Sequence, residues 1–224
     1  MVKVLVCVAW PYANAPIHLG HVAGSLLPPD IFSKYHRLHG NEVLMVSGSD
    51  QHGTPITVKA EKEGVTPEVI AERYHEINKK AIEGLDIQFS LFTKTHTENH
   101  FEVVTDVFQT LRDHGYLYKK GTLQYYCPRC EKFLPDRYVE GTCPSCGNEK
   151  ARGDQCERCG KAFEGGELEK AVCVHCSTAP ELRETEHFFL KLTAFQDRLI
   201  EWISGKEDWK SSVKLFTKNW LEAG

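Results

Sequence analysis

The first 114 residues alternate between short apolar runs and longer stretches with helical periodicity. The mostly apolar run at 2–8 predicts a first strand that is buried on both faces. Apolar residues then recur at helical spacing over 17–39, where Pro28 and Pro29 predict a kink or a restart at Asp30. The same reading predicts strands at 42–47 and 90–95, and helices at 66–84 and 98–114. This order of elements predicts an α/β fold with a parallel sheet that helices cover on both sides.

The pattern changes at Gly115, where Gly, Cys and turn residues replace the long periodic stretches. The segment that follows repeats itself with an offset of about 30 residues. A return strand is predicted at 186–192, and amphipathic helices at 194–204 and 211–222. These changes predict three parts, at 1–114, 115–188 and 189–224.

Composition and charge exclude some classes of function. The chain has 27 Lys and Arg against 31 Asp and Glu, a net charge of −4, which disfavours tight nucleic-acid binding by this chain alone. It has no charged leader followed by an apolar segment, and no apolar run of about 18 residues. The sequence therefore predicts a cytoplasmic protein that does not span a membrane.

Eight of the nine cysteines form four C-x-x-C pairs, separated by 12, 9 and 13 residues. This is the spacing of metal ligands and not that of a disulfide framework. We predict two structural zinc sites, each with four thiolate ligands and no open coordination position. The predicted ligands are Cys127, Cys130, Cys143, Cys146, Cys156, Cys159, Cys173 and Cys176.

Two ways of pairing these motifs remain open. Adjacent pairing joins the first two C-x-x-C motifs in one site and the last two in the other. Nested pairing joins the inner two motifs and the outer two. The internal repeat favours adjacent pairing without deciding the matter. The ninth cysteine, Cys7, lies in the first predicted strand and is expected to be a small buried apolar residue.

Two histidines, His18 and His21, stand at the predicted start of the first helix, with Gly20 between them. Their spacing places them on one face of the first turn, beside free backbone N–H groups and the positive end of the helix dipole. Gly20 has no side chain, so a flat group can approach the backbone. These residues predict a triphosphate site in which the imidazoles stabilise the charge that builds on an attacked α-phosphorus. Without this context, both histidines would be ordinary helix-start residues.

A second polar cluster, at 48–55, follows the second predicted strand. Ligands of open parallel sheets bind beyond the carboxyl ends of the strands, so both clusters are expected at the same edge. Asp50 is placed to accept a hydrogen bond from an ammonium group, and His52 and Gly53 to line a sugar or phosphate region. The alternative for Asp50 is a helix cap or a turn residue.

The motifs at 18–21, 9–14 and 49–53 together resemble those of the class I aminoacyl-tRNA synthetases, and in particular the methionine-specific members. His-Leu-Gly-His at 18–21 resembles the HIGH signature of that family, and the C-x-x-C knuckles resemble its zinc-binding insert. The resemblance implies a Rossmann-like half domain of the HUP-type catalytic core, with an inserted zinc-knuckle connective-peptide domain. That insert is implied to help place the acceptor end of the tRNA.

The resemblance also implies a reaction and its site residues. The reaction is the activation of L-methionine to methionyl-adenylate with ATP and Mg²⁺, followed by transfer to the 3′ end of tRNA(Met) for initiation and elongation. His18 and His21 would be catalytic. Residues implied to bind ATP are Pro11, Asn14, His18, Gly20, His21, His52 and Gly53, and those implied to bind methionine are Ala9, Trp10, Tyr12 and Asp50.

The sequence also departs from the family. Trp10 stands where leucine is common, Gln51 where glutamate is common, and Ala15 where glycine is common. A KMSKS-like lysine loop, the second half of the sheet and the anticodon-binding domain are not found in it. We therefore expect the chain to be the N-terminal part of such an enzyme, without full aminoacylation activity.

Three rival functions remain. One is a non-catalytic zinc-ribbon module that binds RNA or protein, against which the low net charge counts. Another is a class I synthetase for leucine, valine, isoleucine or cysteine, against which the motif at 50–53 and the early position of the knuckles count. The third is a cofactor-forming nucleotidyltransferase with the same histidine motif, which would lack the cysteine insert.

Overall fold

The computed structural model describes residues 1–223. The chain divides into two compact units, Met1–Val104 and a second unit that begins at Thr105. The strands are β1 (Lys3–Cys7), β2 (Glu42–Ser49), β3 (Leu91–Lys94), β4 (Leu117–Cys127), β5 (Lys132–Phe133), β6 (Val139–Thr142), β7 (Ala151–Arg152), β8 (Glu169–Cys173) and β9 (Glu181–Leu190). The helices are α1 (Leu19–His21), α2 (Leu27–Leu38), α3 (Thr54–Glu63), α4 (Pro67–Gly84), α5 (Glu98–Asp113), α6 (Gln196–Ser204) and α7 (Ser211–Ala223).

The first unit contains a parallel sheet in the order β1-β2-β3, which confirms the predicted α/β fold. Leu5 pairs with Leu44, and Val46 pairs with Leu91. One face of this sheet packs against the helices and forms the main core. The buried members of that core are Val8, Leu26, Met45, Ile82 and Ile87.

The other face of the sheet is open to solvent. Leu5, Leu44 and Leu91 are 63%, 52% and 55% exposed, and Cys7 on the same face is also exposed. Side chains of a strand alternate between the two faces, so a run of apolar residues does not show that both faces are covered. The predictions of a sheet covered on both sides and of a buried Cys7 are therefore wrong for residues 1–223.

The first helical stretch is interrupted earlier than the prolines predict. Between α1 and α2, Val22–Leu26 form a wider turn, in which the Leu27 N–H donates to the carbonyl of Val22. Pro28 and Pro29 lie in the first turn of α2, where a missing N–H does no harm. The helix thus restarts at Leu27 and not at Asp30.

Helix α3 was not predicted from the sequence, which assigned no helix or strand between 47 and 66. It begins directly after Gly53, has Pro55 in its first turn, and ends at Gly64 with a φ of +66°. A glycine in the left-handed region is a common helix end. These local signals would have located the helix. The predicted helix at 66–84 is confirmed as α4, and that at 98–114 as α5.

The second unit is built on a long antiparallel pair. Strand β4 pairs with β9 from Leu117↔Leu190 to Tyr126↔Glu181, and β5 adds to the far end of β4. A second antiparallel sheet has the order β7-β6-β8. The predicted return strand begins at Glu181, earlier than expected, and the two last helices are confirmed as α6 and α7. The three predicted parts, at 1–114, 115–188 and 189–224, stay a prediction.

None of the helices in residues 1–223 combines the length and the apolar character that a membrane span requires.

Candidate functional site

The two polar clusters of the first unit meet at the carboxyl edge of the parallel sheet. The Ala13 N–H donates to the Asp50 carbonyl at 2.8 Å, and the Asp50 N–H donates to the Pro11 carbonyl at 2.9 Å. These bonds extend the β1–β2 pairing into the loop, so that Tyr12 lies beside Asp50. The expectation that both clusters end at one edge is confirmed.

The two histidines form a reciprocal cap at the start of α1. The His18 Nδ1 accepts from the Gly20 N–H at 3.1 Å, and the His21 Nδ1 accepts from the His18 N–H at 3.2 Å. The ring centroids are 3.9 Å apart. Because each Nδ1 accepts, each neutral ring carries its proton on Nε2, and that N–H is left to donate to a ligand.

Gly20 makes this cap possible. A Cβ at this position would lie 2.9 Å from the Cε1 of His18, so a side chain there would displace the imidazole. The glycine therefore serves the histidine cap, in addition to its predicted place beside a flat group. Both catalytic assignments, His18 and His21, stay predictions.

A cavity of about 200 Å³ lies next to His21. Besides His21, four residues with a predicted binding role line it: Ala9, Trp10, Pro11 and Tyr12. Ser25 and Leu26, for which no binding role was predicted, line it as well. The Trp10 ring is seated on Gly48, where a Cβ would lie 2.6 Å from the Trp10 Cζ3. The structure thus brings three of the four residues that were predicted to bind methionine together with one of the predicted catalytic histidines.

Asn78 was also missed by sequence analysis, because it lies on α4, far along the chain. Its Oδ1 accepts from the Ile17 N–H at 2.9 Å, and its Nδ2 donates to the Ala15 carbonyl at 3.2 Å. Asn78 is 1% exposed. It therefore fixes the loop that follows Asn14 and precedes the histidine cap.

Asp50 is partly engaged in a turn. One of its carboxylate oxygens, Oδ1, accepts from the His52 N–H at 3.1 Å. This contact matches the turn alternative for Asp50, yet Oδ2 makes no hydrogen bond within residues 1–223. Both roles are compatible, and methionine binding by Asp50 stays a prediction.

His52 faces a second histidine that sequence analysis missed. Its Nε2 lies 3.2 Å from the Nδ1 of His96, and its Nδ1 lies 3.2 Å from the Oγ1 of Thr95. A cavity of about 300 Å³, which His52, His96 and Gln51 help to line, lies beside them. Gly53 has a φ of +104° at the start of α3, a conformation that favours glycine. Both residues were predicted to bind ATP, and those roles stay predictions.

A buried histidine, His75, contacts the residue that precedes Asp50. The His75 Nδ1 lies 2.9 Å from the Oγ of Ser49, and its ring stacks on Phe92. Burial lowers the pKa of His75 from its usual value of 6.5, an effect that the nearby carboxylate of Glu72 opposes. The lowered pKa favours the neutral form of His75, which can pair with Ser49 by a hydrogen bond.

The eight paired cysteines form two clusters with nested pairing. One cluster contains Cys127, Cys130, Cys173 and Cys176, and the other contains Cys143, Cys146, Cys156 and Cys159. The adjacent pairing that the internal repeat favoured is therefore wrong. Strand pairing explains the outcome, because β8 ends at Cys173 and its register with β6 pairs Val139 with that cysteine. His175, which lies between two of the ligands, is not a member of either cluster.

In each cluster all four sulfur atoms lie within 4.8 Å of one another. Sulfur pairs across each cluster are 3.4 and 3.9 Å apart in the first, and 3.8 and 3.6 Å apart in the second. A regular zinc tetrahedron with bonds of about 2.3 Å requires about 3.8 Å between sulfurs. Hydrogen bonds from Thr178 lower the pKa of Cys176, whereas hydrogen bonds to neighbouring thiols raise the pKa of Cys130 in the same cluster. The donor set and spacing therefore fit zinc.

Comparison with known proteins places the chain. The family profile described as "tRNA synthetases class I (M)" matches residues 4–224. The chain is 53% identical over 219 residues to a methionine–tRNA ligase of Thermomicrobium roseum, covering 98% of this chain and 38% of the relative. It is 52% identical over 222 residues to a methionine–tRNA ligase of Dehalococcoides mccartyi, covering 99% of this chain and 40% of the relative.

A solved structure shows the same fold. The methionyl-tRNA synthetase of Mycobacterium tuberculosis in complex with methionyl-adenylate matches with a TM-score of 0.72 and 21% identity, covering 100% of this chain and 39% of that chain. The chain spans about two fifths of the length of the curated relatives that it matches. From the match over nearly its whole length, the chain belongs to the class I tRNA synthetase family (M).

Proposed function

We propose that this chain carries the methionine- and ATP-binding site of a methionine–tRNA ligase. The observation that carries the proposal is the cavity in which Ala9, Trp10 and Tyr12 meet His21, beside the Tyr12–Asp50 pairing. An apolar wall, a carboxylate and an imidazole at one sheet edge suit a zwitterionic amino acid with an apolar side chain. The proposal includes a cytoplasmic location, where tRNA is charged.

The first step joins methionine to AMP. A methionine carboxylate oxygen attacks the α-phosphorus of ATP, and the bond from that phosphorus to the bridging oxygen breaks, so pyrophosphate leaves. His18 and His21 would donate from Nε2 to the phosphate oxygens, where negative charge increases in the transition state. Mg²⁺, bound with ATP, would neutralise the β- and γ-phosphates.

Ground-state binding would use the other predicted residues. Asp50 would accept from the methionine ammonium group, and Trp10 would close one side of the thioether pocket. Pro11 and Asn14 would border the nucleotide near Gly20, and His52 and Gly53 its ribose or phosphate side. In the second step, a ribose hydroxyl at the 3′ end of tRNA(Met) attacks the methionyl carbonyl, and AMP leaves.

The cysteine clusters would each hold one Zn²⁺. Four thiolates leave no coordination position for a substrate, so the ions would be structural. They would fix the short strands β5 to β8, which have few buried apolar side chains of their own.

Ligand-dependent stability tests the proposal. Thermal unfolding of the zinc-loaded chain should shift upward with L-methionine and Mg²⁺–ATP together, because a ligand at 100 times its Kd adds about 2.7 kcal/mol. Asp50→Asn should abolish the methionine effect, and His21→Asn should weaken the ATP effect about tenfold or more. His39→Asn, which alters an exposed histidine at the far end of α2, serves as the control.

A panel of amino acids separates the rival functions. Equal stabilisation by leucine, isoleucine, valine or cysteine would contradict methionine specificity. No stabilisation by any amino acid, with or without Mg²⁺–ATP, would instead favour a non-catalytic zinc module.

A further inference from the structure

The loop that carries Asp50 and His52 lies outside regular secondary structure. Strand β2 ends at Ser49 and α3 begins at Thr54, so no strand or helix fixes the backbone of His52. The His52 N–H nevertheless donates to the Oδ1 of Asp50 at 3.1 Å. The position of His52 therefore decides in which direction the other carboxylate oxygen of Asp50, Oδ2, faces.

Thr95 holds this loop on both sides of Asp50. Its N–H donates to the Ser49 carbonyl at 3.1 Å, and its Oγ1 accepts from the Gln51 N–H at 2.9 Å. The same hydroxyl oxygen lies 3.2 Å from the Nδ1 of His52. Thr95 directly follows β3, and the parallel pairing of β2 with β3 brings it to this place. A single threonine thus contacts three residues of the loop.

His96 contacts the other ring nitrogen of His52. The His52 Nε2 lies 3.2 Å from the His96 Nδ1, and the ring centroids are 5.4 Å apart. Both rings also contact Phe101, with centroid distances of 6.1 Å for His52 and 5.1 Å for His96. Both histidines are exposed, so the Phe101 ring supplies the apolar contact that keeps the two imidazoles side by side.

The direction of these hydrogen bonds follows from a count of protons. Thr95 Oγ1 accepts from the Gln51 N–H, and within residues 1–223 the His52 Nδ1 is the acceptor for its own hydroxyl proton. Neutral His52 then carries its proton on Nε2 and donates it to the Nδ1 of His96. Because both nitrogens of His52 are engaged, its ring can border a nucleotide only with its carbon edge.

We propose that Thr95 and His96 are positioning residues that act through His52 to fix the carboxylate of Asp50. The His52 N–H occupies Oδ1, which leaves Oδ2 to accept from the ammonium group of the amino-acid substrate. That this ligand is methionine rests on the proposed function. The nearest lysine in sequence, Lys94, is paired with Glu72 at 2.6 Å and therefore does not compete for the Asp50 carboxylate.

The experiment uses the zinc-loaded chain, with L-methionine affinity measured by calorimetry and hydrogen exchange of the His52 amide measured by NMR. His96→Leu should weaken methionine binding about fivefold, as expected for the loss of one hydrogen bond, and should speed exchange of that amide. His96→Asn should stay within about twofold, because the Asn Oδ1 can accept in place of Nδ1. Thr95→Val should weaken binding about tenfold or more, and Thr95→Ser less than about twofold. His39→Leu, at an exposed histidine of α2, is the control and should change neither readout.

A double-mutant cycle tests whether His96 acts through the His52 ring. His52→Ala and His96→Leu should each weaken methionine binding about fivefold, and the two together also about fivefold, because the second change removes a contact that is already lost. Independent roles would instead multiply to about 25-fold. The same four proteins give the exchange rate of the amide at position 52, for which the same pattern is expected.

The outcomes separate this inference from the proposed function. Multiplying effects in the cycle, unchanged affinity in His96→Leu, or a loss in His96→Asn as large as that in His96→Leu would overturn it. Failure of the unaltered chain to bind methionine would contradict the proposed function alone. The exchange rates would then decide the positioning role, which a non-additive acceleration supports and an additive or absent acceleration overturns.

Discussion

At the scale of single residues, backbone hydrogen bonds decide what the histidines can do. His18 and His21 use Nδ1 to cap one another's turn, so their chemistry is confined to Nε2. A side chain that supports a loop and also faces a ligand cannot be replaced without altering both roles. Substitutions at Asn78 and His75, which support the loops without lining the cavity beside His21, therefore complement the His21→Asn variant.

Replacing Asn78 with Ala should destabilise the loop before the histidine cap. The Ile17 N–H and the Ala15 carbonyl would lose their partner, at a cost of about 1–3 kcal/mol. Faster hydrogen exchange of the Ile17 and β1 amides would show the effect. Lys80→Ala, on the exposed side of α4, is the control. Unchanged exchange in the Asn78 variant would show that water replaces the amide.

His75 should make the first unit sensitive to acid. Because burial lowers its pKa below 6.5, the unfolded chain binds the proton at a higher pH than the folded chain. Stability should thus be lost as the pH falls through 6.5 towards the folded-state pKa, and should not change from this source at higher pH. Glu72 and Glu76 reduce the effect, and Lys94 and Lys79 strengthen it.

Urea unfolding at pH 7.5 and 5.5 measures this dependence. His75→Gln should show a smaller loss on acidification than the unaltered chain, and His39→Gln should show the same loss as the unaltered chain. A pH response of His75→Gln that equals that of the unaltered chain would rule out His75 as the source.

At the scale of elements, strand pairing overrides sequence repetition. The two cysteine repeats suggest two similar knuckles side by side, but β8 returns to pair with β6 and carries the last C-x-x-C motif back to the first. The same competition appears in the first helical stretch. There the prolines of α2 lack a hydrogen-bond donor, and the helical turn that precedes them, Val22–Leu26, is wider than an α-helical turn.

Double substitutions test the nested pairing. Cys130→Ser with Cys176→Ser alters one cluster, so one zinc ion per chain should remain. Cys130→Ser with Cys146→Ser alters both clusters, so none should remain. Adjacent pairing predicts the reverse pattern. Zinc per chain, measured by atomic absorption after dialysis against a weak chelator, decides between them.

At the scale of the whole molecule, each of the two units is stabilised internally by a different kind of core. The first unit has an apolar core, in which Leu26 is 1% exposed and Met45 is 0% exposed. In the second unit, many of the buried residues between β4 and β9 are cysteines. A small region with few buried apolar residues needs metal ions for stability. One face of the parallel sheet, with Leu5, Leu44 and Leu91, is left uncovered by this core.

Removing zinc should therefore affect the units unequally. A strong chelator should abolish the amide protection of β5 to β8, because these short strands lie between the two cysteine clusters and depend on them for stability. Amides of β1 and β2 should keep their protection, since their core contains no metal ligand. Simultaneous loss of protection in both units would contradict this division.

The sequence alone determined the features that depend on local pattern. Alternation of apolar runs with helical periods predicted β1 to β3 and α4 to α7, and C-x-x-C spacing predicted eight metal ligands, because near neighbours along the chain set both. The meeting of 9–14 with 48–55 also followed, since parallel strands place their carboxyl ends at one edge.

Only the tertiary structure decided which distant groups meet. It chose nested over adjacent pairing of the cysteines, brought Asn78, His75 and His96 to the loops of the predicted site, and left one face of the parallel sheet uncovered. The physical reason is that these outcomes depend on strand register and on packing between segments far apart in sequence. Local propensity carries no information about either.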